Sequence, residues 1–392
     1  MSTLKVDAIR HNSATSDAIT TAADGTCTAK ITGRTGGGGL SHRNLIINGA
    51  MNVAQRATSS TASGIRTVDR FALFHGNVSE APTQSQSDVG LSDLPFTEQG
   101  ITKCFKVTNG NQTSTDSNDY IEMNYKCEAQ DIRNSGWNYQ SSSSFITLSY
   151  YVRSSVAQTY TAWITNRDGT RKNFVWSYAL SANTWTKITK VIPGDSGLTI
   201  NNDSGAAFEI WWQQYYGTNY TQASPPGHNT GGWVNHDSET VIDNTATWYE
   251  TNDATFELTG VQLEVGNHAT SFEHRSFGEE LLRCQRYCYA DRGSDDYHAV
   301  AQGHFNGSST GITMLYTPVC MRAAPTLSYP VGTWIVSGDS GTLNQSNIYP
   351  SDNIAEVNAF QIRTAHSGGQ SGEGFLLRTS SAGHTWILDA EL

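Results

Sequence analysis

The sequence predicts a mainly β protein: an extended N-terminal docking arm, a β-sandwich of jelly-roll type, a short connecting α-helix and a C-terminal β-sandwich tip. Three observations predict it. Ser, Thr, Asn and 36 Gly crowd the spaces between apolar runs, while aromatics reach 10% and charged residues only 16%, a composition suited to short strands and tight turns. Apolar residues alternate with a period of two in run after run beyond residue 44. The period turns helical after Phe272. At 392 residues the chain is long enough for roughly two to four domains.

Residues 1–43 are polar, poor in aromatics and end in a run of glycines, Gly36 to Gly39. Such a segment cannot bury a core of its own. Its short alternating pieces, Leu4, Val6 and Ile9, then Cys27, Ala29 and Ile31, predict strands that pair only with another chain or surface. A docking arm fits this pattern, and a flexible tail is the plainer alternative.

Residues 44–275 read as the sandwich. Ile146, Leu148, Tyr150 and Val152 fall on one face of a strand, with Thr147, Ser149 and Arg153 on the other. Phe174, Trp176, Tyr178 and Leu180 share a face, as do Phe208, Ile210, Trp212, Gln214 and Tyr216. Turn sequences such as Asn166 to Gly169 and Pro193 to Gly197 separate the runs at antiparallel spacing. In the last strand Phe256 and Leu258 point one way, and Val261, Leu263 and Val265 resume the period after a slip at Thr259 and Gly260, which predicts a bulge.

Residues 276–290 predict the connecting helix. Phe277, Leu281, Cys284 and Cys288 are spaced four, three and four apart, and Glu279 can pair with Arg283 one turn on. A helix of about a dozen residues is marginal alone. Its seam must be buried, on its own sandwich or among three copies around a shared axis. Residues 291–392 form the β-rich tip, with alternation in Gly311 to Val319, Thr333 to Val336, Ala359 to Arg363, Phe375 to Thr379 and Thr385 to Asp389.

A net charge of −11 without a cluster of Lys and Arg argues against a nucleic-acid partner. The opening Met1 to Lys5 lacks the apolar run of a signal peptide, and no stretch approaches the roughly 18 apolar residues of a membrane span, so synthesis in the cytosol without membrane insertion is expected. The six cysteines are thinly spread, which predicts free thiols rather than a disulfide framework. Cys284 and Cys288 with His298 or His304 would make a metal site only with a second ligand pair, so they read as small apolar residues and neither metal nor cofactor is expected.

Gly194 to Gly197 and Gly338 to Gly341 both read Gly-Asp-Ser-Gly, the tetrapeptide around the nucleophile of trypsin-like proteases. The following Gly-Pro and the preceding histidine motif of those enzymes are missing, and each tetrapeptide makes a good turn. Asp237 with Glu239, and Asp295 with Asp296, are the carboxylate pairs available for glycosidic cleavage, and both read as solvated surface. No catalytic residue, and no enzyme, is predicted.

The stronger signal is aromatic. Eight of the ten tryptophans, Trp137, Trp163, Trp176, Trp185, Trp211, Trp212, Trp233 and Trp248, fall in the sandwich. Sugar rings stack their C–H faces on flat aromatic rings, and neighbouring Asn, Gln and Asp fix the hydroxyls. Trp176 and Trp212 alternate with apolar residues and read as core. Trp211 and Tyr215 lie opposite that face, and Trp233, His236 and Asp237 belong to a long polar segment over 221–237. These five are the candidate glycan contacts.

Asn44 to Arg56, Val68 to Phe71, Phe256 to Gly266 and Phe272 to Tyr287 together resemble tail-fibre and related virion proteins of tailed bacteriophages, particularly those infecting marine bacteria, with weaker similarity at residues 1–33. The sandwich resembles the carbohydrate-binding-module type found inside such fibres. The resemblance implies a homotrimer made in the host cytoplasm and built into the virion, joined to other tail proteins by its N-terminal arm, and attached to a host surface glycan or other envelope component. A purely structural baseplate, neck or capsid-decorating protein is the first alternative. A polysaccharide depolymerase is the second, without the long repetitive β-helix common in those enzymes.

Overall fold

The computed structural model describes residues 8–9, 19–21, 27–29 and 42–392, apart from 223–230, 238–240, 244, 293–297, 308, 329–333, 339–340, 346–347, 356, 358, 366–368 and 380–384. Two six-stranded antiparallel sheets form the sandwich. One runs in the spatial order Val234–Asn235, Lys172–Leu180, Gln158–Asn166, Ala206–Tyr216, Tyr120–Glu128, Phe71–Gly76; the other runs Thr186–Pro193, Phe145–Ser154, Thr255–Val265, Lys103–Thr108, Thr83–Asp88, Ser59–Ser60. Sequence neighbours mostly lie apart within the sheets, the mark of jelly-roll connections rather than a meander.

The period-two pattern is what builds the core. Ile146, Leu148, Tyr150 and Val152 of one sheet meet Ile164, Phe174, Trp176, Phe208, Ile210 and Trp212 of the other, all buried. The core is rich in rings: Tyr150 and Trp212 meet edge to face at 5.7 Å, and the Trp176 indole N–H donates to the Tyr150 hydroxyl at 3.2 Å. Six of the eight sandwich tryptophans are buried, with only Trp211 and Trp233 partly exposed.

Of the register slips in the sandwich strands, two bear on the predicted faces. Pairing of Thr255–Val265 with Phe145–Ser154 slips between Thr259 and Gln262, as expected, with Gly260 at φ +61°. Val261 and Leu263 return to the core, but Val265, at the strand's end, is 42% exposed. The second slip lies between Gln213 and Tyr215. It takes up Gln214, so Tyr215 turns into the core beside Trp212 and Tyr216 turns outward, the reverse of strict alternation.

The segments Asn44 to Arg56, Val68 to Phe71, Phe256 to Gly266 and Phe272 to Tyr287 converge on one place. Asn44 accepts from the Ile46 and Leu263 amides and donates to the Val261 carbonyl, so it clips the chain onto the bulge. Asn48, at φ +61°, donates to the Val53 and Asp69 carbonyls, and its own amide donates to Glu280 at 2.6 Å. Arg275 reaches back to the Ile46 carbonyl. These buried polar groups bond one another, although Arg275 Nε makes no hydrogen bond among the described residues.

The helix runs Phe277–Gln285, capped by Ser276, whose hydroxyl accepts from the Glu279 amide at 3.2 Å. Glu279 pairs with Arg283 at 3.0 Å, as its spacing predicts. The helix is shorter than the expected 276–290 because the chain turns at Arg286 and Tyr287, and Cys288 opens the strand Cys288–Arg292. The expected seam therefore divides. Cys284 is buried with Ile47, Val53 and Tyr287, Leu281 flanks them, Cys288 is buried as a strand residue, and Phe277 is 61% exposed. The apolar stripe is covered by this chain's own Asn44 to Arg56 segment.

Beyond the helix a seven-stranded sheet faces the three-stranded sheet of Cys288–Arg292, Thr385–Asp389 and Thr326–Ser328. Phe305, Val336, Phe375 and Leu377 pack against Trp386 and Leu388 between them. This block is bound to the sandwich by ion pairs made by two arginines with buried side chains. Arg56 pairs with Asp389 at 2.9 Å and Glu391 at 3.4 Å, and Arg70, buried with its guanidinium 3.5 Å from the Tyr287 ring centroid, pairs with Glu391. Glu128, also buried, accepts from Arg286 and from the Tyr287 hydroxyl. At the N-terminus Ala8–Ile9, Ile19–Thr21 and Cys27–Ala29 pair with one another as a small antiparallel sheet, so these strands find partners within the chain; Leu4 and Val6 lie outside the described residues.

Candidate functional site

The side chains of the Ala206–Tyr216 sheet that face away from the core form a lattice set by strand register. One row holds Ser177, Thr161, Gln213, Glu122 and Phe74; the next holds Val175, Trp163, Trp211, Asn124 and Ala72; a third holds Asn173, Thr165, Glu209 and Lys126. This is the face opposite Trp212. Six rings run across it in sequence of contact. Phe74 lies 6.2 Å from Trp211, Trp211 stacks on Trp163 at 5.9 Å with planes 14° apart, Trp163 meets Tyr216 at 5.7 Å, and Tyr216, Tyr220 and Tyr120 contact one another.

Polar groups are set among the rings. The Tyr216 hydroxyl donates to Glu122, whose carboxyl is pushed up to about 8 by burial, against the pull of that hydrogen bond and with a further push from Glu209. Glu122 is thus largely protonated at neutral pH. Glu209 lies 3.4 Å from Arg167 and 3.7 Å from Lys126. Among the described residues the Gln213 side-chain amide finds no hydrogen-bond partner for its oxygen or its nitrogen, and neither does the Thr161 hydroxyl, though all three atoms are buried.

Half of this face is covered and half is open. Val241 packs on Trp163 and Val175 and closes the first half, which holds Thr161 and Gln213. On the other half a cavity of about 200 Å³ opens over Ala72, Phe74 and Asn124, with Arg66 and Lys126 beside it and Asp389, Glu391 and Leu392 of the C-terminal block as its far wall. A Phe ring, an amide and cationic side chains around a small cavity can pack a sugar face and bond its hydroxyls.

Of the five residues picked from sequence, the structure brings Trp211 and His236 to this face. The His236 ring contacts the Asn173 amide at 3.0 Å, at the end of the third row. Asp237 is exposed beside it. Tyr215 does not join them: the slip at Gln214 buries it against Tyr249, ring centroids 4.1 Å apart. Trp233 turns to the core edge, packed on Phe174 and Phe208, its indole N–H given to the Pro193 carbonyl at 2.7 Å. His228, Glu239, Asp295 and Asp296 lie outside the described residues, as do Asp339 and Ser340 of the second Gly-Asp-Ser-Gly. In the first, Asp195 pairs with Lys172 and accepts from the Gly197 amide, a turn.

Sequence reasoning missed Phe74, Asn124, Lys126 and Trp163. The signal was present for two of them: Tyr120, Glu122, Asn124 and Lys126 alternate with the buried Ile121, Met123, Tyr125 and Cys127. Among the described residues no group of three or more His, Cys, Asp or Glu is arranged to hold a metal ion. Cys104, Cys127, Cys284, Cys288 and Cys320 are free thiols, as expected. No described helix is long and apolar enough to cross a membrane.

No protein-family model and no curated protein sequence matches the chain. Several solved structures overlap it in part. A structure titled for carbohydrate-binding module family 4 matches 56% of this chain and 98% of its own at 13% identity and TM-score 0.27. A putative sugar-binding protein of Bacteroides thetaiotaomicron matches 57% and 100% at 9% identity and TM-score 0.29. A module pair of Clostridium thermocellum xylanase 10B, complexed with xylohexaose, matches 55% at 10% identity and TM-score 0.26, and this chain spans 29% of its length. At such scores the overlap identifies no ligand. The sandwich assignment rests on the sheet order itself.

Proposed function

We propose that this protein binds glycan through the open half of the Trp211 face, and that it does so as an attachment protein of a bacteriophage tail or fibre. The observation behind the glycan reading is a polar cavity that presents Asn124, Arg66 and Lys126 with the Phe74 ring in its wall, Trp211 lying next to that ring at 6.2 Å. The virion setting follows from the fibre resemblance, and with it come the homotrimer, assembly through the N-terminal arm, synthesis in the host cytoplasm and a role without catalysis. Three sites on one trimer would turn weak single-site binding into firm attachment.

A depolymerase needs two carboxylates about 5–10 Å apart; the carboxylates in the cavity wall, Asp389 and Glu391, are both tied to the Arg56 guanidinium, at 2.9 and 3.4 Å. A purely structural virion role is the second reading, and one observation favours it: the segments that resemble fibre proteins build the junction between sandwich and C-terminal block rather than a ligand site.

The experiment is a screen of the purified full chain on an array of bacterial surface polysaccharides, with size measurement of the assembly. Saturable binding to a defined glycan supports attachment. A well-folded trimer that binds none of them, and incorporates into particles, would leave the structural role.

A further inference from the structure

The C-terminal block has a pocket of its own, independent of the Trp211 face. A cavity of about 540 Å³ opens between its two sheets, lined by Tyr289, Asp291 and Trp386 on one side and by Ile312, Met314 and Tyr316 on the other. Tyr289 and Trp386 meet edge to face at 5.3 Å. Tyr316 is 71% exposed, a large ring that the protein's own packing does not use.

Asp291 sets the chemistry. Its Oδ2 accepts from the Trp386 indole N–H at 3.2 Å and contacts the His298 imidazole at 3.3 Å. These contacts hold the carboxylate still. Its Oδ1 has no hydrogen bond among the described residues, and none of the described lining residues is a lysine or arginine. A carboxylate beside aromatic rings, whose ion-pair partner among the described residues is an imidazole on its other oxygen, can take a further positive charge.

We propose that this pocket binds an organic ammonium group, with Asp291 as counter-ion and the Tyr289 and Tyr316 rings as its aromatic walls. The fit is one of charge and surface together. A hydrated metal ion would not use the rings, and a neutral alcohol would not use the carboxylate. The thioether of Met314 and the methyls of Ile312 suit the alkyl substituents of a quaternary or primary ammonium.

The test compares choline with its uncharged carbon isostere, dimethylbutanol, binding to the full chain by saturation-transfer NMR and calorimetry. Choline should bind at least tenfold more tightly than the isostere. Asp291→Asn should weaken choline tenfold or more, and the exposed-residue variant Tyr316→Ala at least threefold. Tyr316→Ala keeps the test valid even where loss of the Asp291 charge perturbs folding. Equal binding of the two probes, binding untouched by both substitutions, or no binding of choline at all would overturn the proposal.

Discussion

Trp211 stacks on Trp163 across adjacent strands, ring planes 14° apart, on the side of the sheet away from the core, while the next residue in sequence, Trp212, is wholly buried. One strand thus supplies a buried core ring and, on the opposite face, a partly exposed one. The two should separate cleanly on mutation.

Trp212→Ala removes a fully buried ring in contact with Tyr150 and Phe71 and should cost about 3–5 kcal/mol. Trp211→Ala should cost about 1 kcal/mol or little more yet abolish glycan binding. Urea titration and affinity electrophoresis, run on both variants, check the split.

Glu122 gives the pH dependence. Its carboxyl is raised from an ordinary 4.5 to about 8, so between those values the folded state binds a proton that the unfolded state has lost. Stability must therefore fall as pH rises through that window, with a slope approaching about 1.4 kcal/mol per pH unit from this group. Glu122→Gln should flatten the urea midpoint between pH 5 and 8. A midpoint as steep in the variant as in the wild type would show that another group sets the slope.

Arg70 joins the two blocks through Glu391 and Tyr287. Removing one member of a buried pair strands the other, at about 3–5 kcal/mol. Calorimetry should show one unfolding transition for the wild type and two for Arg70→Ala, the C-terminal block melting first. A single transition in the variant would mean that the apolar contacts of the junction suffice.

Gly260 forms the bulge at φ +61°, and a Cβ there would stand 2.8 Å from the Ile101 side chain and 2.9 Å from the Tyr151 ring. Gly260→Ala combines left-handed strain with overpacking, so roughly 2–4 kcal/mol should be lost. Thermal melting measures it, and a loss within about 0.5 kcal/mol would refute the strain account.

The strands, the Thr259 slip and the Glu279 to Arg283 pair were legible in the sequence because period two and helical spacing are local signals. Tyr215 was misplaced because a bulge at Gln214 reverses every later residue of its strand, and no glycine marks it. Trp233 is held by a carbonyl forty residues away, a contact that no window of sequence contains. The helix seam showed that it had to be buried, but its cover, Ile47 and Val53, lies more than two hundred residues earlier. The polar clips at Asn44, Asn48 and Arg56 were visible only as parts of a resemblance. Their work is to close the junction.

The central claim is that the Trp211 face holds glycan. The measurement that tests it most directly is binding of wild type and Trp211→Ala, side by side, to an array of bacterial surface polysaccharides, with the melting temperature of each recorded. Wild type should bind at least one polysaccharide saturably, and the folded variant should lose that binding at least tenfold. Binding of equal strength in both proteins, or none in either, would contradict the account.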